Sequence, residues 1–191
     1  MKIFQLGVCK GNDDLTEIIK NKDIDLLVLV EPLDFHNSDI EKCYSHIKNK
    51  HIENIAVSIK NDATETSFYY HKNDGPLYEV ASLDKSHILK HGYDEDGIIE
   101  KKIACQTING LFDRYNINTI DILFIDTEGL DDGIIQTIDF SRFNILNIYF
   151  ENLHLKSNVY NYLENNHYKI IKNTGTNGWT SLAQKTESKR L

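Results

Sequence analysis

Hydrophobic residues along this chain keep two rhythms: short, almost unbroken runs rich in Ile, Leu and Val, and stretches where an apolar position recurs every third or fourth residue. The first suits strands buried on both faces, the second suits helices packed against them. Residues 1–8 open with a strand (Ile3, Phe4, Leu6, Val8). The loop Gly7-Val8-Cys9-Lys10-Gly11-Asn12 follows, and Leu15, Ile18 and Ile19 then form the apolar face of a helix. Residues 25–30 make a second run that stops at Glu31-Pro32, because proline lacks the N–H that a central strand needs. A helix over 38–49 and a third strand over 52–59, closed by a turn at Asn61-Asp62, complete a βαβαβ order. That order predicts a doubly wound, mostly parallel α/β sheet.

Regularity fails from 63 to 100, where 67–71 alternates like an edge strand and Asn73-Asp74-Gly75-Pro76 and 92–97 carry turn signals. Such a segment suits a variable lid or acceptor loop, and Tyr69, Tyr70, His71, Tyr78, His87, His91 and Tyr93 would suit the rim of a polar pocket. Periodicity returns with a strand over 101–107, a helix over 108–115 and a strand over 120–125. A helix follows on Leu130, Ile134, Ile135 and Ile138, then a strand over 144–150 that ends in Glu151. A helix near 157–165 precedes 168–172 and 179–184, a C-terminal antiparallel hairpin around Gly175 and Gly178. One domain over 1–185 is expected, with a flexible tail at 186–191.

At 191 residues, 40% of them hydrophobic, the chain can bury one substantial core. Its net charge of −8 gives no basic footprint for a phosphate backbone, so a nucleic-acid partner is not expected. No apolar run approaches the roughly 18 residues that span a bilayer, and a cytoplasmic location without membrane contact is expected. Cys9, Cys43 and Cys105 are widely spaced, with no Cys-x-x-Cys pair, which indicates neither a disulfide framework nor a zinc site. Nothing in the pattern specifies an oligomeric state.

The chemistry gathers at strand ends. In a parallel sheet Glu31, Asp126 to Glu128, and Glu151 would converge with the glycine loop on the carboxyl edge, where such folds bind ligands. Asp131 and Asp132 are read as acids that cap and solvate the first turn of a helix. A glycine loop followed by an acid at the second strand's end suits an adenosine cofactor, with backbone close to the ligand and a carboxylate on the ribose hydroxyls. The spacing is Gly-x-x-x-Gly, and Asp13 and Asp14 at the helix start would repel phosphates. S-adenosylmethionine has no phosphate, and both its sulfonium and its ammonium gain from nearby carboxylates.

These residues resemble the FkbM-like branch of the class I S-adenosylmethionine-dependent methyltransferases, a Rossmann-like fold. The resemblance runs over roughly residues 3–153: the loop from Leu6 to Asn12, Val30-Glu31-Pro32, Ala56-Val57-Ser58, Ala81-Ser82-Leu83, and Tyr149-Phe150-Glu151. Its most distinctive part is Asp126-Thr127-Glu128-Gly129, an Asp-x-Glu-Gly motif. Two positions depart from the family pattern, Phe124 where Lys is frequent and Asp131 where Glu is frequent, and the first bears on acceptor recognition. The resemblance implies methyl transfer to a hydroxyl of a sugar, glycan or related small molecule. Cofactor contacts are then expected at Gly7, Cys9, Gly11, Asn12, Asp13, Glu31, Pro32, Ala56 and Asp126, and acceptor contacts at Ser82, Glu128 and His154.

Removal of the hydroxyl proton needs a base, for which Asp126, Glu128, Glu151 and His154 are the candidates. The pair Asp126 and Glu128 would also suit a magnesium ion, which the resemblance does not require. Glu151-x-x-His154 has the spacing of a di-iron carboxylate motif but occurs once, whereas such centres need two. No metal is therefore assigned. Two other readings fit part of the pattern: a metal-dependent phosphotransferase or phosphohydrolase using an aspartate nucleophile, and a non-catalytic nucleoside-binding module of the same fold.

Overall fold

The computed structural model describes residues 1–11, 13–60 and 63–186. Asn12, the Asn61-Asp62 turn and the tail beyond residue 186 lie outside the described residues. In chain order the first half contains β1 (Lys2–Leu6), α1 (Asp14–Ile18), β2 (Leu26–Val30), α2 (Asn37–Cys43), β3 (Lys50–Glu53), β4 (Ala56–Val57), β5 (Glu65–His71) and α3 (Lys85–Lys90). The second half contains β6 (Ile98–Gln106), α4 (Ile108–Arg114), β7 (Thr119–Ile125), α5 (Asp131–Thr137), β8 (Asn144–Glu151), α6 (Val159–Asn165), β9 (Tyr168–Thr174) and β10 (Thr180–Lys185).

A seven-stranded sheet has the order β3-β2-β1-β7-β8-β10-β9. Pairing is parallel from β3 through β8, and β10 runs antiparallel to both β8 and β9. This is the expected Rossmann-like sheet of class I methyltransferase type, with its C-terminal antiparallel hairpin. Because successive side chains point to opposite faces of a strand, the apolar runs feed two cores at once. Phe4, Val28, Leu123 and Ile125 face one layer of helices with Phe112, Ile135 and Leu163. Ile3, Leu27, Leu29 and Phe124 face the other with Leu15 and Ile40. Each such side chain, withdrawn from water, contributes about 1.5–3 kcal/mol before the entropy of ordering it is offset. No helix among the described residues is long and apolar enough to cross a membrane.

The region from 50 to 106 departs from the sequence reading. The strand expected over 52–59 is two short ones: β3 stays in the large sheet, while β4 joins β6 and β5 in a separate three-stranded sheet. Asn54 marks the break. Its Nδ2 donates to the Glu31 carbonyl at 2.9 Å, and it exchanges side-chain hydrogen bonds with Asn37 at 2.8 and 2.9 Å. The helix expected over 38–49 ends at Cys43, and turns carry Ile47 back into the core. Within 63–100, which the pattern leaves irregular, α3 forms behind Asp84, whose Oδ1 accepts the Ser86 N–H at 3.0 Å as an N-cap.

Candidate active site

The carboxyl ends of β1, β2 and β7 lie side by side. The Gly7 N–H donates to the Val30 carbonyl at 3.0 Å, and the Asp126 N–H to the Leu6 carbonyl at 2.9 Å. Gly7 has φ +74°, and a Cβ there would stand 1.7 Å from the Asp126 carbonyl oxygen. A Cβ on Gly11 would press on Cys43 Sγ at 3.0 Å and on the Tyr44 ring at 3.1 Å. Both glycines thus answer the protein's own close packing, where the sequence alone suggests clearance for a ligand. Between these strand ends and the segment 77–83 lies a cavity of about 580 Å³, a size usual for small-molecule sites.

Glu31 is buried in one wall. Its Oε2 accepts the Cys9 N–H at 2.7 Å and its Oε1 the Leu33 N–H at 2.9 Å, so each oxygen keeps one lone pair for a ligand. Burial pushes its carboxyl up to about 7. Cys9 lines the cavity at φ +50° and donates its thiol to the Leu77 carbonyl; burial, then Glu31, push that thiol up to about 12 and keep it protonated. Pro32 and Ala56 line the same wall. Asp13 caps α1, accepting the Leu15 N–H at 2.9 Å, and its other oxygen accepts from Gln5, which in turn accepts from the Tyr44 hydroxyl at 3.0 Å.

The opposite wall is the Asp-x-Glu-Gly turn. Glu128 sits at φ +52° and Gly129 at φ +90°, a left-handed pair that is strained at the non-glycine position. The Ser82 hydroxyl pins the turn by donating to the Glu128 carbonyl at 3.1 Å. The Glu128 carboxylate meets His87 Nε2 at 3.1 Å, and desolvation, with Glu79 and Asp74 nearby, raises it to about 7. Asp126 is open to the cavity's solvent yet walled by protein. That desolvation, followed by the charge of Glu128, holds it above the usual carboxylate range. Glu151, at the end of β8, is pushed up to about 8 by burial and by Asp126 and Glu128, and its Oε2 is buried without a partner among the described residues.

Asp131 and Asp132 differ from the expectation that they merely solvate a turn, for both are buried. Asp132 accepts the Lys156 N–H at 3.0 Å and the Gly133 N–H at 2.9 Å, which ties α5 to the loop after β8. Asp131 accepts from the Thr127 hydroxyl at 3.2 Å, while its Oδ1 has no partner among the described residues. Burial, together with Asp126 and Glu151, raises its carboxyl well above the ordinary range, and a retained proton relieves the charge there.

Most expected residues therefore meet at one cavity: Gly7, Cys9, Gly11, Asp13, Glu31, Pro32, Ala56, Asp126, Glu128 and Glu151 all line it. Two do not. Ser82 is buried with its hydroxyl on Glu128, outside the cavity lining, and His154 is likewise outside it, with a ring nitrogen within 4.8 Å of oxygens of Glu128 and Glu151. Of the aromatic and His residues expected at the rim only Tyr78 lines the cavity; His71 is fully buried against Tyr93. The pattern missed Asn177 and Trp179, delivered to the rim by the loop between β9 and β10. Asp14 anchors that loop, accepting the Thr176 N–H at 3.0 Å and the Thr180 hydroxyl at 3.2 Å.

The lining is strongly acidic. Asp13, Glu31, Glu79, Asp126, Glu128 and Glu151 face it, and Lys10, paired with Asp39 at 3.5 Å, is the one lysine or arginine among the described lining residues. Such a site attracts a cation and repels phosphate, which fits a sulfonium cofactor.

Residues 5–170 match the Methyltransferase FkbM domain family. No curated protein matches the chain in sequence. Among solved structures, a methyltransferase FkbM from Methylobacillus flagellatus KT superimposes with a TM-score of 0.53 at 12% identity, over 96% of this chain and 43% of that one. This chain therefore spans less than half of that relative's length. The precorrin-6y C5,15-methyltransferase from Geobacter metallireducens GS-15 gives a TM-score of 0.47 at 10% identity over 97% and 80% of the two chains. SMU.1697c from Streptococcus mutans, a putative methyltransferase in complex with SAH, gives 0.48 at 10% identity over 96% and 88%. With the match across 5–170 and the strand-end site in view, the chain belongs to the FkbM family of methyltransferases, whose cofactor is S-adenosylmethionine.

Proposed function

We propose that this chain transfers a methyl group from S-adenosylmethionine to a hydroxyl oxygen of a sugar, glycan or related small molecule. The observation that carries the reading is Glu128. It is held in a left-handed turn by Ser82, its carboxylate lies on the cavity wall, and its pKa is raised to about 7 beside the His87 ring. A base with near-neutral pKa suits removal of a hydroxyl proton during attack, a role that an already ionised thiolate acceptor would not need.

The bound cofactor supplies an electrophilic methyl group on sulfur. Glu31 would orient the ribose, and the backbone of the Gly7 to Gly11 loop would lie against the cofactor. Asp126 would face its positive charge. Segment 77–83 closes the acceptor side, so that the hydroxyl approaches in line, an alignment that can contribute several kcal/mol. Glu128 takes the hydroxyl proton as the new bond forms, and His87 Nε2, at 3.1 Å, holds its carboxylate in place. Glu151 and Asp131 stand close by as acids that burial keeps largely protonated. The acidic lining argues against phosphoryl transfer, because it would repel the substrate's phosphate.

The test is methyl transfer from labelled cofactor to a panel of saccharides and small hydroxyl compounds, with the product bond identified by NMR. An O–CH₃ product is expected. Glu128→Gln should lower turnover about 10²–10⁴-fold while shifting stability by less than about 1 kcal/mol. A methyl group found only on nitrogen or carbon, or a Glu128→Gln variant as fast as the parent, would overturn this reading. Cofactor binding without transfer to any acceptor would instead favour a non-catalytic module.

A further inference from the structure

A second grouping of ligating side chains stands behind Glu128. His87 on α3 and His91 just past its end are four residues apart, so they share one face of the helix. His154 reaches them from the loop after β8. The ring centroids are 4.6 Å apart for His87 and His91, 4.9 Å for His87 and His154, and 5.5 Å for His91 and His154. One ring nitrogen from each lies within 4.8 Å of those of the other two. Ligating oxygens of Glu128 and Glu151 form a second set of the same tightness with His154.

Packing alone explains this cluster poorly. His91 is exposed, so its ring adds little buried area, and three rings that can each take a proton would repel one another in mild acid. We propose that His87, His91 and His154 bind one divalent transition-metal ion of the zinc class, with Glu128 at the edge of the set, and that the ion ties α3 to the end of β8. Imidazole nitrogens suit zinc, cobalt and nickel, whereas magnesium prefers oxygen. Tetrahedral ligands about 2.1 Å from an ion lie roughly 3.4 Å apart, so modest rotations of His91 and His154 complete the set. The contact between Glu128 and His87 Nε2 at 3.1 Å is the carboxylate–imidazole pairing that orients a ligating histidine. The ion would also pin the irregular segment 63–100, through α3, against the turn that carries Glu128.

The test uses tag-free full-length chain, stripped with chelator and titrated with Co²⁺, then Zn²⁺. One equivalent of Co²⁺ is expected, with visible absorption from nitrogen coordination that Zn²⁺ abolishes and excess Mg²⁺ does not. His91→Ala, at an exposed position that the fold tolerates, should weaken Co²⁺ binding at least about tenfold, as should His154→Ala. Substitution of the exposed, remote His46 should change nothing. Absence of stoichiometric binding, or binding unaltered in the folded His91→Ala variant, would overturn the site, and so would displacement by Mg²⁺. A parallel titration with S-adenosylhomocysteine separates this result from the methyl-transfer reading, because cofactor binding can stand or fall without the metal.

Discussion

The two sheets of this molecule are held together differently. In the large sheet β2 is buried at every residue, and β1 and β7 are buried almost throughout, their alternate side chains supplying both cores. In the small sheet β5 and β6 are mostly half-buried or exposed, and among the described residues a small buried cluster of Leu33, Phe68 and Ile103 lies beside them. The centre of the large sheet is thus fixed by burial, which resists change along nearly the whole of each central strand. The small one depends on its backbone ladder and on a few polar ties, such as the Lys101–Asp34 pair at 2.6 Å. That contrast assigns the cofactor wall to the rigid region and the 77–83 wall to the more adaptable one.

The sharpest way to break the comparison is at Gly7. A Val there would drive Cβ into the Asp126 carbonyl at a backbone conformation L side chains rarely adopt, and a loss above about 4 kcal/mol, seen as a collapsed melting transition, is expected. Next come matched truncations. Phe112→Ala, which removes a fully buried ring packed on Phe4 at 5.0 Å and Phe143 at 5.1 Å, should cost about 3–5 kcal/mol in urea unfolding. Phe68→Ala in the small sheet should cost about 2 kcal/mol, since its surroundings can collapse into the space. Equal losses would show that the small sheet is as tightly packed as the large one.

A third test reads the charge gathered at the large sheet's strand ends. Glu31 titrates at about 7 in the folded chain against an ordinary 4.5, so between these values the folded state holds a proton that the unfolded state has released. Stability contributed in this way is complete below 4.5 and is lost as pH rises through about 7; Glu151, raised to about 8, extends the fall upward. The histidines lowered from 6.5 act in the opposite sense below that value. The clean window is therefore pH 6.5 to about 8, where melting temperature should fall with pH and Glu31→Gln should flatten the slope in its lower part, up to about 7. The smallest effect is expected at Asp14→Ala, about 1 kcal/mol, with faster hydrogen exchange confined to the loop that Asp14 anchors.

What could be read in the sequence follows the same division. Runs such as Leu26 to Val30 and Ile122 to Ile125 admit only a central strand, and once their order is known the acids Glu31, Asp126 and Glu151 must share an edge. Two strands of the small sheet could be read, at 67–71 and 101–107, but not their separation from the large sheet, because the break at Asn54 depends on its side-chain partner Asn37. His87 and His91 carry a spacing signal, but it means something only on a helix, and α3 was lost among turn residues. Asp131 and Asp132 look like ordinary first-turn acids, and their burial comes from the loop after β8 folding over them. Trp179 gave no sign at all, for what brings it to the rim is the reversal of β10.

That reversal also sets an order of events. Because β10 runs against β8, Thr180 at its start pairs with Glu151 at the far end of β8, and the loop before it reaches the ligand edge. The hydrogen bonds that seat this loop join Asp14 to Thr176 and Thr180, residues 162 and 166 positions apart. Contacts so distant in sequence form late, since their closure entropy must be met before they return anything. During synthesis the amino-terminal wall therefore waits with an open side until the β9–β10 hairpin has emerged. A ligand that needs every wall meets only molecules in which that hairpin has docked, and its binding then draws the population toward them by mass action.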